Sequence, residues 1–561
     1  MPQKTVTLGL NKENMIGALK NSFTNKETFL GELMQNARRA GATKIKFKYD
    51  EEHNALTIED DGCGLDNFET LLTVAESGWS KEVVEAESPF GIGFLSAIFS
   101  CEEVQIVSKC GVLHCLTEDL LQFKPCTVIP EGGIRQPIGT SILMVGCTAL
   151  KGDTTIKKSA TTVLLKALQH LALGFPIPVS FNGTELPRPN AVGSNFVKTE
   201  IGDVHVPLNY IGAEYMYYRR YHNFVVYLQG LPVDTPNLDY YTRSEYDSKL
   251  NIVVHLDSAK FIARLPDRDK LINEQENMAI IRAGVREAVR ETALSLIAAG
   301  DYESVCKSFS TINHYDLLEL YNEVPILPCG VLSHFINGEG VNCDSESFGD
   351  CKIPVSEYLT REKVSGNTVT SECDFDKYGM VHLVYAKMKK KYIYTSWYAN
   401  KLDSKHWLFE EAVNLDKEEY SIKLNGEVYN TEFTGGWLYC GVTFCDSYEL
   451  TIAGDTIVVS DLALYSGDGS NLIVPSGVTT GDCISQVSSF KDYDSFQDTS
   501  YCNDVAKFEQ FMVTSRLRHD PEKAFLANLR EIDAMACLSN KTFTVDIGET
   551  GKVVSVVEVK K

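Results

Sequence analysis

At 561 residues the chain exceeds what one hydrophobic core organises, so three or four domains are expected. Hydrophobic residues at 44% and charged residues at 23% match a globular protein, and no apolar run of about 18 residues is long enough for a membrane span. The formal charge of -23, from 76 acidic against 53 basic residues with no long basic run, argues against nucleic acid as a partner. Met1 to Thr7 contains no apolar signal region. The 16 cysteines are scattered without a CxxC pair, which favours reduced thiols and a cytoplasmic setting.

The first strong element runs from Thr28 to Ala40. Phe29, Leu30, Leu33, Met34, Ala37 and Ala40 recur at helical spacing, and Gly41 follows as a stop. Glu32 and Asn36 stand four residues apart, on one face of that helix. Lys44 to Tyr49 sets Ile45 and Phe47 between lysines, the pattern of a half-buried strand, and Ala55 to Asp60 reads as its hairpin partner. Asp60 then ends a strand just before Gly62 and Gly64. A carboxylate in that place can accept from an exocyclic amine and read adenine. The two glycines let backbone approach a flat ring closely. Gly91, Ile92 and Gly93 precede the apolar run Phe94 to Phe99, so a glycine pair opens a helix whose free amides can meet phosphate. Asn36 offers an amide oxygen to Mg2+. Glu32, one turn earlier, can orient or deprotonate a water attacking a terminal phosphate. Taken singly, a Glu-xxx-Asn pair is most often solvated helix surface, and a DxGxG run is most often a turn. Their order and spacing together point to a nucleotide pocket.

These segments resemble the motifs of the GHKL, or Bergerat-fold, ATPase superfamily of gyrase B, the Hsp90 chaperones, histidine kinases and MutL. Glu32-xxx-Asn36-Ala37-xx-Ala40 is similar to its first motif, and Asp60-x-Gly62-x-Gly64-Leu65 to its second. Pro89-Phe-Gly91-Ile-Gly93-Phe94-Leu-Ser96 resembles the Hsp90 form of the third. Gly139-Thr140 resembles the late Gly-Thr motif, whose threonine lies beside the adenine-reading aspartate in the family. The likeness covers roughly residues 20–147. It implies ATP and Mg2+ as ligands. It implies a nucleotide site of Asn36, Arg39, Asp60, Gly62, Gly64, Gly91, Ile92, Gly93, Phe94 and Thr140, with Asn36 on the metal and Glu32 catalytic. Two positions depart from the pattern. Arg39 replaces a family aspartate and can meet phosphate or make an ion pair, and Ser88 replaces a glycine that opens the third motif. Leu71 to Ser88 would be the lid over ATP.

Beyond residue 150, Thr161 to Leu173 reads as a helix, Asn223–Leu228 and Leu250–Leu256 as strands, and Asn277 to about Ala298 as a long helix. In the superfamily a ribosomal-S5-like transducer domain often follows the ATPase domain and sends a cation to the γ-phosphate. Arg268, within Leu265-Pro-Asp-Arg-Asp-Lys-Leu271, is similar in pattern to the Hsp90 version, with Arg264 and Lys270 as competitors. A solvated charged turn is the plain alternative. Leu383 to Trp397 is aromatic-rich and locally basic, either surface or a polyanion contact. Beyond about 440 the pattern turns to β, with strands at Tyr448–Ile452, Thr456–Ser460, Phe543–Ile547 and Val553–Val559, and helices between Asp504 and Ala536.

The expected fold is α+β: a Bergerat-fold α/β sandwich at 1–148, an S5-like transducer at 149–300, a mixed α/β domain at 301–440 and a β-rich domain at 441–561. The resemblance implies an Hsp90-like, Mg2+-dependent ATPase with slow turnover. ATP would close the lid and favour a homodimer acting on a protein partner. A nonhydrolysing ATP-sensing protein is the opposing class, and a weaker likeness to phage rIIA-type proteins would place it in a host cytoplasm.

Overall fold

The computed structural model describes residues 11–23, 28–73, 78–79, 81, 87, 93–130, 139–147, 159–208, 224–233, 252–264, 267–331, 334–337, 358–371, 380–395, 401–435, 439–466, 470–484, 495–529, 538, 540–549 and 552–560. Two compact units divide the chain, Met1–Leu317 and Leu318–Lys561.

In the first unit, helix α1 (Lys12–Ser22) is capped by Asn11, whose side chain accepts from the Asn14 amide at 3.0 Å. Helix α2 (Thr28–Arg39) follows, then strands β1 (Ile45–Asp50) and β2 (Ala55–Asp60). Next come helices α3 (Glu69–Leu72) and α4 (Gly93–Phe99), strands β3 (Glu103–Ser108) and β4 (Gly111–Leu116), helix α5 (Thr117–Leu121), and strands β5 (Thr127–Ile129) and β6 (Thr140–Val145). Helix α6 (Ala160–Ala172) and strands β7 (Val179–Phe181) and β8 (Thr184–Glu185) complete this layer pair. The eight strands form one sheet in the order β5-β4-β3-β6-β2-β1-β7-β8. Among the described residues of this sheet, β1 and β7 alone pair in parallel.

The sheet forms because its strands alternate. In β1, Ile45, Phe47 and Tyr49 are buried while Lys46, Lys48 and Asp50 face water. The buried side chains meet Phe29, Leu30, Leu33 and Met34 of α2, Ala97 and Ile98 of α4, and Leu164 and Leu168 of α6 in one apolar cluster. Each such side chain removed from water contributes roughly 1.5–3 kcal/mol. The first sheet therefore continues past residue 148, because β7 aligns Val179–Phe181 against Ile45–Phe47.

A second sheet has the order β12-β11-β13-β10-β9. Its strands are β9 (Val197–Thr199), β10 (Gly202–His205), β11 (Phe224–Leu228), β12 (Leu231–Val233) and β13 (Ile252–Leu256). Every residue of β11 and β13 is buried, as expected for parallel neighbours covered on both faces. Helix α7 (Glu274–Ala299) buries Met278, Ile281, Val285, Ala288, Val289 and Ala293, a stripe at helical spacing. Leu231 of β12 joins the apolar cluster of the first sheet.

The second unit, taken by itself, carries α/β and β-rich parts. Helix Met380–Met388 and strand Tyr392–Thr395 occupy the aromatic-rich stretch. Its lysines have protein partners: Lys389 pairs with Asp455 at 2.8 Å, and Lys391 donates to the Gly366 carbonyl at 2.6 Å. The β-strands expected beyond 440 are present as Ser447–Ile452, Asp455–Val459, Phe543–Ile547 and Val553–Glu558. Helices Ser495–Arg516 and Pro521–Leu529 stand where helices were expected, the first starting earlier. Among the described residues, no helix is long and apolar enough to cross a membrane.

Candidate functional site

A cavity of about 440 Å3 opens between α2, the end of β2, the start of β6 and the start of α4. This size lies in the range of small-molecule sites. Leu33, Ile58, Leu65, Phe94 and Ile142 supply apolar wall, and Glu32, Asn36, Asp60, Thr140 and Arg268 supply polar groups.

Strand register builds one end. Asp60, the last residue of β2, lies directly opposite Thr140, the first of β6. The Gly62 amide donates to Asp60 Oδ1 at 2.8 Å. Gly62 is required by close packing, because a Cβ there would sit 2.7 Å from the Ala40 Cβ. The loop is also tied to the end of α2 by the Cys63 amide, which donates to the Ala40 carbonyl at 2.9 Å. Behind it, Ser108 Oγ accepts from the Leu65 amide at 2.8 Å, donates to the Gly139 carbonyl at 3.1 Å and lies 3.2 Å from Thr140 Oγ1. Burial pushes the Asp60 carboxyl above the ordinary carboxylate range, against the amide hydrogen bonds from Gly62 and Thr140 that pull it down.

Ion pairs build the other end. Glu32 is buried on the inner face of α2, and Arg268 Nε lies 2.5 Å from Glu32 Oε1. The Arg268 N–H is not aligned for a hydrogen bond, which leaves a buried donor without one at the cavity wall. Gly93 packs so closely on this carboxylate that a Cβ would overlap it. The preceding residue, Asp267, accepts from Thr28 Oγ1 at 2.8 Å and so holds this turn to the start of α2. The competing cations stand elsewhere: Arg264 pairs loosely with Asp269 at 3.7 Å, and Lys270 with Glu274 at 3.5 Å, both well exposed.

Arg39 also lines the cavity, its side chain only 2% exposed. Its Nε donates to Glu87 Oε2 at 2.9 Å, and its Nη2 to Gln229 Oε1 at 3.3 Å. The same Glu87 oxygen receives Arg38 Nη2 at 2.5 Å. Gln229 accepts from Gln35 Nε2 through its carbonyl at 2.7 Å. Burial tends to raise the Glu87 carboxyl, but the Arg38 and Arg39 hydrogen bonds outweigh it and hold it below the ordinary range.

Of the twelve expected residues, Glu32, Asn36, Arg39, Asp60, Gly64, Gly93, Phe94, Thr140 and Arg268 line this one cavity. Gly62 stands behind it against Asp60. Gly91 and Ile92 lie outside the described residues, as does most of the expected lid, including Ser88. Trp79 falls within the expected lid, whereas Asn67, Thr70 and Gln229 were not singled out. Trp79 had a signal, a large aromatic in a polar stretch. Gln229 had none, because its place depends on where the β11–β12 turn meets α2.

Residues 24–124 match the family described as histidine kinase-, DNA gyrase B-, and HSP90-like ATPase. The N-terminal domain is a GHKL, or Bergerat-fold, ATPase domain. The chain is similar to the chaperone protein HtpG of Clostridium acetobutylicum at 34% identity, of Vibrio vulnificus strain YJ016 at 32% and of Sulfurovum sp. at 30%. Each match covers 16% of this chain and 19% of the relative, so the likeness spans about a fifth of those chaperones. Within the matched residues, Arg39 is the position that the structure pairs with Glu87.

Proposed function

We propose that the protein binds ATP with Mg2+ and hydrolyses it slowly, using Glu32 as the group that prepares water and Arg268 as the cation on the terminal phosphate. The observation that carries this reading is the approach of Arg268 to Glu32, 2.5 Å apart at one end of the cavity. A base and a guanidinium at the same wall suit in-line attack on a phosphoryl group. The donor set fits the ligand. Asp60 is an acceptor for the adenine amine, Ile58, Leu33 and Ile142 are apolar contacts for the ring, and the Arg268 guanidinium, paired with Glu32, is the cation that a phosphate would meet. The residues also fit Mg2+ held through few protein ligands. Asn36 offers one oxygen, and the remaining positions suit phosphate and water. When bound, the metal would neutralise phosphate charge.

The Glu32–Arg268 pair also suggests how binding moves the protein. A terminal phosphate competes with Glu32 for the guanidinium. Drawing Arg268 away frees the carboxylate and pulls on the chain that follows the second sheet. This is a population shift driven by differential contacts. On this reading, residues 149–300 are the S5-like transducer, with further domains at 301–440 and 441–561. The working unit is a cytoplasmic, Hsp90-like homodimer acting on a protein partner.

The engaged state of Glu32 favours one second reading, a nonhydrolysing ATP sensor of the rIIA type. Steady-state turnover and equilibrium binding, measured on wild type and Glu32→Ala, separate the two. Hydrolysis requires turnover that falls by about 10²–10⁴-fold in the variant while ATP still binds. Equal, absent turnover with intact binding supports the sensor. No saturable binding by wild type sinks both.

A further inference from the structure

Arg39 is a nearly sequestered cation at a cavity wall, and a buried guanidinium needs an anion or full hydrogen bonding. Glu87 supplies that anion. One carboxylate oxygen serves both Arg38 and Arg39. Glu87 and Gln229 take two of the five N–H donors of Arg39. The result is a second carboxylate–guanidinium pair beside Glu32–Arg268. Each guanidinium at this end of the cavity is neutralised by an acid of the chain itself.

We propose that Glu87 is an internal competitor for the phosphates of the nucleotide: its carboxylate occupies Arg39, and the phosphate chain binds by displacing it. The proposal rests on the ATP reading above and adds a residue that sets how strongly phosphate, as opposed to nucleoside, is bound. Two features favour it over a purely structural ion pair. Arg39 is among the residues that line the cavity, whereas a structural pair has no need to be there. Glu87 is also held at its carboxylate by the two arginine side chains, contacts that a phosphate can replace in kind. Gln229 extends the effect. Its amide reaches the Glu87 carbonyl at 3.4 Å and its oxygen receives Arg39, so freeing Glu87 alters a contact with the β11–β12 turn.

The test is Glu87→Gln in the full chain, with calorimetric affinities for ATP and for adenosine. Removing an intramolecular competitor should tighten ATP about tenfold and leave adenosine unchanged, since apparent affinity scales with the fraction of sites open to the ligand. In an Arg39→Gln background the same substitution should give no gain. Equal changes for ATP and adenosine, or no tightening of ATP, overturn the proposal while leaving the ATP reading intact. If wild type binds neither ligand, the ATP reading itself has failed. Should Glu87→Gln not fold, Glu87→Asp, with its charge on a shorter stem, is expected to tighten ATP in the same direction.

Discussion

The two ends of the cavity are built on different principles. The Asp60 end is made by strand register and one tight loop, with Asp60 opposite Thr140 and the Gly62 amide on its carboxylate. The Glu32 end is assembled from α2, the Asp267–Arg268 turn, Gly93 and Glu87, held mainly by ion pairs. A backbone ladder is hard to rearrange, whereas charge pairs exchange partners readily. The contrast suits a site that recognises a base at its fixed end and changes contacts at its charged end.

Arg268→Ala should break the comparison most severely. It leaves Glu32 buried without its cation, at a cost of about 3–5 kcal/mol in folding stability. It should also lower turnover by about 10²–10³-fold. Denaturant unfolding and single-turnover kinetics read the two effects separately. Retention of full turnover would remove the charged end from the chemistry.

Asp60→Asn should act on the other end. The amide keeps the shape but presents a donor where an amine must be accepted, so ATP and adenosine should both weaken by about 10²-fold. Turnover at saturating ATP should change little. A loss confined to ATP would mean that Asp60 meets the phosphates instead of the base.

Acid titration gives the smallest and most discriminating effect, because the two ends carry shifts of opposite sign. Asp60 is raised, so its protonated form is favoured by the fold. Its contribution to stability is fully present below the unfolded value and is lost as pH rises through the folded one. Glu87 is lowered, so its contribution is present above the ordinary carboxylate value and is lost as pH falls through the depressed one. Adenosine affinity should therefore begin to fall at a pH where ordinary carboxylates are still ionised. The added stability from Glu87 should persist to lower pH and be missing from Glu87→Gln. Unfolding and binding measured across the acid range check both signs.

Much of the first domain was legible because its signals are local. Apolar spacing marked α2, expected as Thr28–Ala40 and found as Thr28–Arg39. Alternation marked β1 and β2, the latter with the expected bounds. Gly62 and Gly64 are visible as letters, and their reason is close packing that any side chain would disturb. Long-range pairing was not legible. Nothing in Val179–Phe181 announces that it joins β1, since a short apolar strand can pair with any open edge. The choice among Arg264, Arg268 and Lys270 was also open, because all three share one charged turn.

The sequence by itself determined the element types around the cavity and the chemistry brought to it: a carboxylate and an amide on one helix face, an aspartate at a strand end, and glycines where backbone must come close. These follow from periodicity and side-chain type, which act over a few residues. The tertiary structure alone decided that Arg268 meets Glu32, that Glu87 bridges Arg38 and Arg39, and that Gln229 touches both Arg39 and Glu87. Those contacts join segments distant in sequence, and burial in a common core is what selects them from the many pairings their charges would allow.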